Sequence, residues 1–412
     1  MRVAFTSQPW ATPYPPSESV AIWSHEVAAE AAPQEAATVW GRKSSVDEPD
    51  EELHAGVRYR TVYGRGDYRL LQALEALKGL RPRLRPLFAT RPFHFFYHRE
   101  LVAAIAAERP AIVHVHNFSQ LLGPLRRSLP DARLVLHMHC EWLNRLDPRL
   151  IAPRVAIADA IVGCSDYIRD RAAEAFPRTD TLFKTLYNGV SPALFGLPAP
   201  GEAPPVVLLA LGRISPERGT HLLFAAFDRL IRAGHDAELH IVGEPATPPD
   251  DMLWRIQSEP RLTAARAFGR DRAYLDRIMG LVGTSARARL HLHGSVEHHA
   301  VHEFLQHAHV VVSPTVVPEP FGMPNAEGMA AGRAVVAADG GGVPEYVVNE
   351  RTGLLFRRGD VDDLTSVLER VVADGELRMR LGESGRRRAQ EFAWPVIADQ
   401  TRALHRLLVQ GT

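Results

Sequence analysis

Residues 319–332 read EPFGMPNAEGMAAG, and this stretch decides the fold because it places two carboxylates around the start of a helix. The prolines beside Glu319 keep the first part in a loop, whereas Pro324 suits the first position of a helix that Gly332 would end. The N–H groups at such a helix start bind phosphate or sugar oxygens well. The stretch therefore predicts an anion- or sugar-binding loop that leads into a short helix.

The two glutamates of this stretch have different predicted positions. Glu327 would lie about one turn inside the helix, where a carboxylate can accept two hydrogen bonds from a vicinal diol such as ribose. Glu319, in the loop, could contact a sugar. Taken alone, the pair fits a second interpretation better: one glutamate is solvated in a loop and the other favours the helix dipole.

A second stretch, LGRISPERGT at 211–220, follows an apolar run and precedes an amphipathic helical pattern. Gly212 permits close approach of a ligand to the backbone. Arg213 and Arg218 place two cations at the carboxyl end of a predicted strand, where α/β sheets bind ligands, and they suit a diphosphate. The alternative is a helix capped by Ser215 with surface arginines on either side.

Short apolar, β-branched runs alternate with helical patterns along the chain, which indicates parallel sheets in an α/β fold. Several runs are almost continuously apolar, as strands buried on both faces are. The predicted strands are Arg2–Thr6, Ile112–Asn117, Leu134–His139, Ile161–Ser165, Val206–Gly212, Glu238–Gly243, Arg289–Gly294, Val310–Pro314 and Ala334–Ala338. The predicted helices include Val20–Ala32, Leu222–Ala233, His298–Ala308 and Leu364–Ala373.

The Pro- and Gly-rich stretch Ser191–Pro205 has no period and predicts a linker between two doubly wound domains of similar size. The charged stretch Lys43–Glu52 predicts a solvated loop, and residues 245–285 predict a surface insertion. A long helical pattern, Gly375–Gln410, extends beyond what the second sheet needs. Its last part could pack back on the first domain.

The composition is that of a soluble globular protein: 46% of its 412 residues are hydrophobic and 23% are charged. The formal net charge is zero, which argues against a nucleic-acid partner. Two cysteines fit a reducing cytoplasm, and neither a signal peptide nor a membrane span is predicted. Only three of the basic residues are lysine, which is typical of a GC-rich bacterium.

Together, GRISPERG and EPFGMPNAEGMAAGRAVVAADGGGVPEYV resemble glycosyltransferase family 4, whose members are retaining enzymes of the GT-B class. The first half resembles the family weakly, through IVHVHN, LVLHMH, CSDY and YNGV. The resemblance implies two Rossmann-like doubly wound domains that face a central cleft. Residues 1–195 would form the acceptor-side domain, residues 203–394 the donor-binding domain, and a helix at about 395–412 would pack back on the first.

The resemblance also implies roles for individual residues. Arg213 and Arg218 would bind the donor diphosphate, Glu319 would contact the donor sugar, and Glu327 would bind the ribose. His139 matches an active-site histidine of the first domain. The remaining donor-site positions implied by the resemblance are Gly212, Val296 near the nucleobase, Pro324 at the helix start, and the backbone of Phe321, Gly322 and Met323.

The implied reaction is retaining transfer of a sugar from a nucleotide-sugar donor, with a UDP-sugar as the expectation from family frequency. The sequence leaves three classes of acceptor open: a glycan, a lipid or a small metabolite. The protein would act in the cytoplasm, and peripheral contact with the inner face of the membrane stays open, as does the oligomeric state. The alternatives are a GT-B epimerase or phosphorylase, and a non-catalytic nucleotide- or carbohydrate-binding protein.

Three positions depart from the family pattern. Arg218 stands where a lysine is usual, which keeps the charge but changes its geometry. Gly328 replaces the usual alanine and would weaken its helix by about 1 kcal/mol. The family's glycine-rich turn after the first strand is missing, and Glu18 and Ser19 stand there instead. A carboxylate near a diphosphate would be repulsive unless it points away.

No metal and no cofactor are expected. The pairs His114/His116, His137/His139 and His291/His293 alternate on predicted strands, but no nearby carboxylate was recognised to complete a metal site. Asp360-Val-Asp362 matches the DxD pattern of metal-dependent glycosyltransferases of another fold. Because it precedes an apolar periodic run, we expect Asp360 to be a helix cap.

Overall fold

The protein is described by a computed structural model that covers residues 1–11, 13–31, 35–76, 81–177, 179–201, 203–250, 252–253, 256 and 259–410. Within these ranges, no helix has the length and apolar character needed to cross a bilayer. The chain divides into two compact units. Unit 1 comprises Met1–Asn188, the described residues of Asp250–Gln257, and the chain from Trp394; unit 2 comprises Gly189–Pro249 and the described residues of Ser258–Ala393.

Unit 1 is built on an eight-stranded sheet of order β3-β4-β2-β1-β5-β6-β7-β8, in which only β3 is antiparallel to its neighbour. Its strands are β1 Arg2–Thr6, β2 Ala36–Arg42, β3 Glu51–His54, β4 Val57–Val62, β5 Ile112–His116, β6 Arg133–Met138, β7 Ala160–Gly163 and β8 Leu182–Thr185. Its first seven helices are α1 Ser19–Ala31, α2 Asp67–Glu75, α3 Phe95–Glu108, α4 Leu122–Ser128, α5 Trp142–Arg145, α6 Pro148–Val155 and α7 Asp166–Ala175.

Unit 2 carries a six-stranded, fully parallel sheet of order β11-β10-β9-β12-β13-β14. Its strands are β9 Val206–Leu211, β10 Ala237–Val242, β11 Leu290–Leu292, β12 Val310–Ser313, β13 Ala334–Asp339 and β14 Leu354–Arg357. Its helices are α8 Thr220–Arg232, α9 Pro260–Arg266, α10 Asp271–Met279, α11 Thr284–Arg287, α12 Val301–His307, α13 Met323–Ala330, α14 Val361–Ala373 and α15 Gly375–Ala389. The strand order reverses between β9 and β12, as in doubly wound nucleotide-binding folds.

The central strands of both sheets were predicted because every residue of β5 and β7 is buried, so their sequences are nearly continuous apolar runs. Five strands were missed: β2, β3, β4, β8 and β14. The other four lie at or next to an edge of their sheet. Fewer of their residues are buried than in the central strands, so their sequences show a weaker apolar pattern.

The C-terminal helical pattern divides into two helices. Helix α15 ends at Ala389, a short 3-10 turn follows, and α16 occupies Trp394–Gln410. Helix α16 packs on α1 of unit 1, with Trp394 only 1% exposed and Ile397 fully buried. Its apolar stripe is thus buried against α1, although the chain just before Trp394 belongs to unit 2.

The prediction of a solvated loop at Lys43–Glu52 was wrong at both of its ends. Lys43 is buried, and its ammonium group donates to the carbonyl of Glu48 and pairs with the carboxylate of Asp50. Glu51 already begins strand β3. The charge run misled because a paired, backbone-bound lysine can be buried, whereas composition shows only its charge.

Close contact of backbones joins the two chain segments that leave β9 and β12. Gly219 has a φ of +70°, and a Cβ placed there would overlap the carbonyl oxygen of Pro314. Two turns are tied further by a hydrogen bond from the N–H of Val316 to the carbonyl of Glu217, at 3.0 Å. Glycine at 219 is therefore required both by its φ and by the adjacent carbonyl.

Replacing Gly219 by Ala should lower the free energy of unfolding by about 3 kcal/mol or more, because positive φ and backbone overlap both oppose it. Gly234→Ala is the matched control: its φ is +89°, yet a Cβ there would meet nothing within 4 Å. The control should lose only about 1–2 kcal/mol. Urea unfolding of both variants checks this, and equal losses would contradict the close approach.

Candidate functional site

A pocket of about 530 Å³, including space open to solvent, lies at the carboxyl ends of the central strands of unit 2. Its walls come mainly from the segments after β9 and β12, the two strands between which the sheet order reverses. This is where open α/β sheets bind ligands. Six of the predicted site residues line it, namely Gly212, Arg213, Arg218, Glu319, Gly322 and Pro324.

Arg218 and Glu319 form an ion pair inside this pocket, with 2.7 Å between Nη1 and Oε2. Both are only partly exposed, and they come from turns 101 positions apart in the chain. The carboxylate accepts one N–H of the guanidinium, whose planar fork offers four more donors. The pair therefore orients the Arg218 side chain toward the pocket while leaving donors for an anion.

Arg213 is held in a similar way by a buried carboxylate that the sequence did not reveal. Its Nη2 lies 3.4 Å from Oε1 of Glu217, which is only 4% exposed. The same Oε1 accepts a hydrogen bond from the hydroxyl of Ser215 at 2.7 Å. The alternative interpretation of Ser215 as a helix cap was wrong, because its side chain caps no helix N–H and binds Glu217 instead.

The loop that carries Glu319 is fixed by its backbone. The N–H of Gly342 donates to the carbonyl of Glu319 at 2.8 Å, and a Cβ on Gly341 would overlap that carbonyl. The hydroxyl of Tyr346, fully buried, lies 2.6 and 3.0 Å from the carbonyl oxygens of Phe321 and Gly322. The GGGVPE segment thus sets the path of the glutamate loop.

Helix α13 begins directly after this loop, at Met323, with Pro324 in its first turn and Gly322 as its N-cap at a φ of +89°. The side chain of Phe321 is buried and packs against Tyr346, so only its backbone is available to a ligand. Pro324 has no N–H and that of Asn325 donates to the carbonyl of Gly322 at 3.0 Å, so of the first three helical residues only Met323 keeps an N–H without a partner inside the helix. The predicted helix start is confirmed.

Gly328 proves to be a packing requirement rather than only a weak point of α13. A Cβ at this position would come within 2.8 Å of Cγ2 of Val311 on strand β12. An alanine there would force the helix away from the strand. Glycine at 328 therefore costs α13 about 1 kcal/mol in helix propensity, but it allows the helix to pack closer to β12.

Glu327 lies in the middle of α13, nearly buried, and its Oε1 is 2.7 Å from Nε2 of His298. His298 follows the predicted base-contacting Val296 by two residues, so the structure brings that segment to the second glutamate. Among the described residues, the pocket lining includes neither Val296 nor Glu327, and also neither Phe321 nor Met323. Nothing in the local sequence pattern around His298 signals this partner.

Asn325 is a second residue that the sequence analysis did not single out. It lines the pocket, is 1% exposed, and neither atom of its amide has a hydrogen-bond partner in the described part of the chain. A buried amide without a partner costs about 1–3 kcal/mol. Such a group beside a pocket is well placed to bind a polar ligand.

His139 lies in unit 1, at the end of a row of buried histidines on β5 and β6. The hydroxyl of Ser24 donates to the carbonyl of Val20, so Nε2 of His116 must donate to that hydroxyl. Nδ1 of His116 then accepts from Nε2 of His139, at 2.9 Å. This chain fixes the tautomer of His139, with the proton on Nε2.

The row continues through His114, which bonds to His137 on one side and His405 of α16 on the other. Nitrogens of His114, His116 and His137 come within 4.8 Å of one another, as metal ligands do. Both nitrogens of His114 and of His116 are already used in hydrogen bonds, however. We therefore interpret this group as a packed network.

Burial lowers the pKa of His114, His116 and His137 well below the ordinary value and that of His139 to about 3. All four imidazoles are thus neutral near pH 7. The predicted contact between His139 and a donor sugar stays a prediction.

Two remaining sequence expectations concern single carboxylates. Asp360 caps α14, its carboxylate accepting from the N–H groups of Asp362 and Asp363 at 3.0 Å, so the prediction of a cap is confirmed. Glu18, which stands in place of the family's glycine turn, accepts a hydrogen bond from the indole of Trp10 at 3.1 Å.

Comparison with known families and proteins gives a consistent result. Residues 200–388 match the family described as glycosyl transferases group 1, and residues 51–194 match glycosyltransferase family 4. Alpha-maltose-1-phosphate synthase of Mycobacterium tuberculosis is 29% identical over 341 residues, covering 74% of this chain and 81% of the relative. Lipopolysaccharide 1,2-N-acetylglucosaminetransferase of Salmonella typhimurium is 27% identical over 313 residues, covering 72% of each.

Solved structures show the same fold. Sucrose-phosphate synthase of Thermosynechococcus elongatus superposes with a TM-score of 0.71 at 20% identity, over the whole of both chains. Anabaena HepE, solved in complex with UDP and glucose, superposes with a TM-score of 0.67 at 17% identity, over 98% of this chain and 99% of that one. The two α/β domains with parallel, Rossmann-like sheets are therefore those of the GT-B fold.

Asn325→Leu should leave the free energy of unfolding unchanged or raise it by about 1 kcal/mol, because it replaces an unsatisfied amide by an apolar group of similar size. Asn325→Asp, the matched polar variant, should lower it, because it buries a charge. Chemical denaturation of both variants checks this. A strongly destabilised Leu variant would mean that the amide is hydrogen-bonded in the folded protein.

The buried histidines should make the protein sensitive to acid. Because their pKa values are lowered in the folded protein, the free energy of unfolding keeps its full value above about pH 6.5. Below that pH it falls, because these histidines take up protons in the unfolded chain but not in the folded one. Each imidazole kept neutral should contribute about 1.4 kcal/mol per pH unit. His114→Gln should reduce the slope of unfolding free energy against pH by that amount. An unchanged slope in His114→Gln would contradict the pKa direction.

Proposed function

The chain belongs to glycosyltransferase family 4, and on that premise we propose that it is a retaining enzyme that transfers a sugar from a nucleoside-diphosphate sugar to an acceptor hydroxyl. The observation that carries this proposal is the pocket at the strand reversal of unit 2, which holds two arginines, a paired glutamate and the start of α13.

The diphosphate of the donor is proposed to bind Arg213, Arg218 and the N–H of Met323 at the start of α13. Two guanidinium groups provide both charge and paired donors for phosphate oxygens. The helix start adds this backbone donor and the positive end of its dipole. Because these groups supply the positive charge, we propose that transfer needs no metal ion.

The transferred sugar is proposed to lie against Glu319, whose carboxylate has one oxygen on Arg218 and can accept sugar hydroxyls with the other. Entry of a diphosphate would draw Arg218 toward the phosphates. Glu319 would then exchange part of its ion pair for hydrogen bonds to the sugar. The pair thereby couples binding of the two parts of the donor.

In the proposed reaction, the bond between the anomeric carbon and the diphosphate oxygen breaks, and a bond to the acceptor oxygen forms on the same face. The acceptor proton passes to the leaving diphosphate. Arg213 and Arg218 stabilise the charge that develops on that leaving group, which is where such donors accelerate transfer most. His139 is kept as the proposed contact to the sugar from unit 1.

The donor base is proposed to be uridine, and its ribose to bind Glu327. Anabaena HepE has been solved with UDP and with UDP-glucose, which supports this choice through a shared fold. Nε2 of His298 already donates to Oε1 of Glu327, so the carboxylate is oriented before a ligand arrives. The loop around Val296 leads directly to that histidine.

Arg218→Ala should lower kcat/KM for nucleotide-sugar turnover, followed as nucleotide release to water or acceptor, by about 100-fold or more. Arg229→Ala is the control, since Arg229 lies on the same unit in an exposed ion pair with Asp362. Thermal unfolding separates lost activity from lost folding. Full activity in Arg218→Ala would contradict the proposed diphosphate site.

A thermal-shift panel of UDP, GDP, ADP and TDP should show the largest rise in Tm with UDP, because a ligand that binds only the folded state stabilises it. Asn325→Leu should reduce that rise. Tight nucleotide binding without turnover would favour a non-catalytic protein instead. Release of a free epimer or a sugar phosphate, without acceptor-dependent product, would favour an epimerase or phosphorylase.

A further inference from the structure

A second cluster of chemically active side chains lies at the opposite edge of the unit 2 sheet, on strands β10 and β11. The strands pair in parallel with His240 opposite His291, and Glu238 precedes His240 by two residues. Residues two apart on a strand face the same side. Glu238, His240 and His291 therefore share one face of the sheet, where all three are half-buried.

The three side chains converge on one point. Oε2 of Glu238 lies 3.4 Å from Nε2 of His240 and 3.7 Å from Nε2 of His291. One ligand atom from each residue falls within 4.8 Å of the other two. Ligands of a tetrahedral Zn²⁺ with bonds of about 2.0–2.2 Å lie about 3.3–3.6 Å apart. Small side-chain rotations would therefore bring all three atoms to bonding distance of one ion.

Neighbouring groups favour this arrangement. Nδ1 of His240 is 3.0 Å from Nε2 of His293, so His240 can donate there and leave Nε2 free of a proton. Metal-binding histidines almost always donate their other ring nitrogen in this way. Nε2 of His291 is buried and has no hydrogen-bond partner among the described residues.

We propose that Glu238, His240 and His291 bind a divalent transition-metal ion of the Zn²⁺ class, with His293 as the positioning residue and water completing the coordination. Two imidazoles and one carboxylate are ligands that such ions accept readily. The ion would join the short edge strand β11 to β10. None of the three residues lines the donor pocket, so this site is structural and separate from transfer.

The sequence analysis had expected no metal site because the histidine pairs had no recognised carboxylate partner. Glu238 and His240 are separated from His291 by some fifty positions, and only the strand pairing unites them. A charged histidine in a simple ion pair with Glu238 is the competing explanation. It requires protonation of an imidazole and no metal.

The full-length protein, freed of any affinity tag and treated with a chelator, would be titrated with Zn²⁺ and, separately, with Co²⁺. We expect one saturable equivalent per chain and a visible Co²⁺ absorption of the intensity that four-coordinate sites give. Zn²⁺ should also raise Tm by mass action. Absence of saturable binding for both ions would overturn the proposal in favour of the ion pair.

Glu238→Gln, which keeps the shape of the side chain, and His240→Ala should each weaken Zn²⁺ binding by more than about 100-fold, since they remove a direct ligand. His307→Ala is the matched control, an exposed histidine on α12 outside the cluster. Circular dichroism and the UDP-induced rise in Tm show whether each variant is folded. Unchanged affinity in Glu238→Gln, or an equal loss in His307→Ala, would overturn the assigned site.

Discussion

The pocket of unit 2 depends on a contact between two backbones that tolerates no side chain. Gly219 approaches the carbonyl of Pro314 at the strand reversal. Gly341 approaches the carbonyl of Glu319, which lies in the same loop as Pro314. The first contact brings the turn after β9 to the loop after β12, and the second fixes that loop at Glu319. Arg218 and Glu319 pair across this junction.

Charge in this pocket is balanced before a ligand binds. Arg218 pairs with Glu319 and Arg213 lies near the buried Glu217, so each cation has a carboxylate beside it. A half-buried ion pair holds a flexible side chain at modest net energy, since lost hydration offsets much of the attraction. The arrangement therefore contributes orientation more than stability, and a diphosphate can compete for the same guanidinium donors.

The same local pattern, histidine alternating on neighbouring parallel strands, has two outcomes in this chain. In unit 1, His114 and His116 are completely buried, and each uses both ring nitrogens in hydrogen bonds to neighbouring side chains. In unit 2, His240 and His291 lie at a half-exposed sheet edge beside Glu238. Burial and a nearby carboxylate, rather than the histidine spacing itself, separate a packed network from a candidate metal site.

The sequence by itself determined the central strands, the start of α13 and the cap at Asp360, because burial, helix starts and caps depend on residues close together in the chain. It also pointed to Arg213, Arg218 and Glu319, through two local motifs. Tertiary structure alone decided which groups meet: the pairing of Arg218 with Glu319, His298 with Glu327, and the unpartnered amide of Asn325. It also decided the edge strands, which are only partly buried. These arise from contacts between distant segments, which leave no periodic signal in either segment.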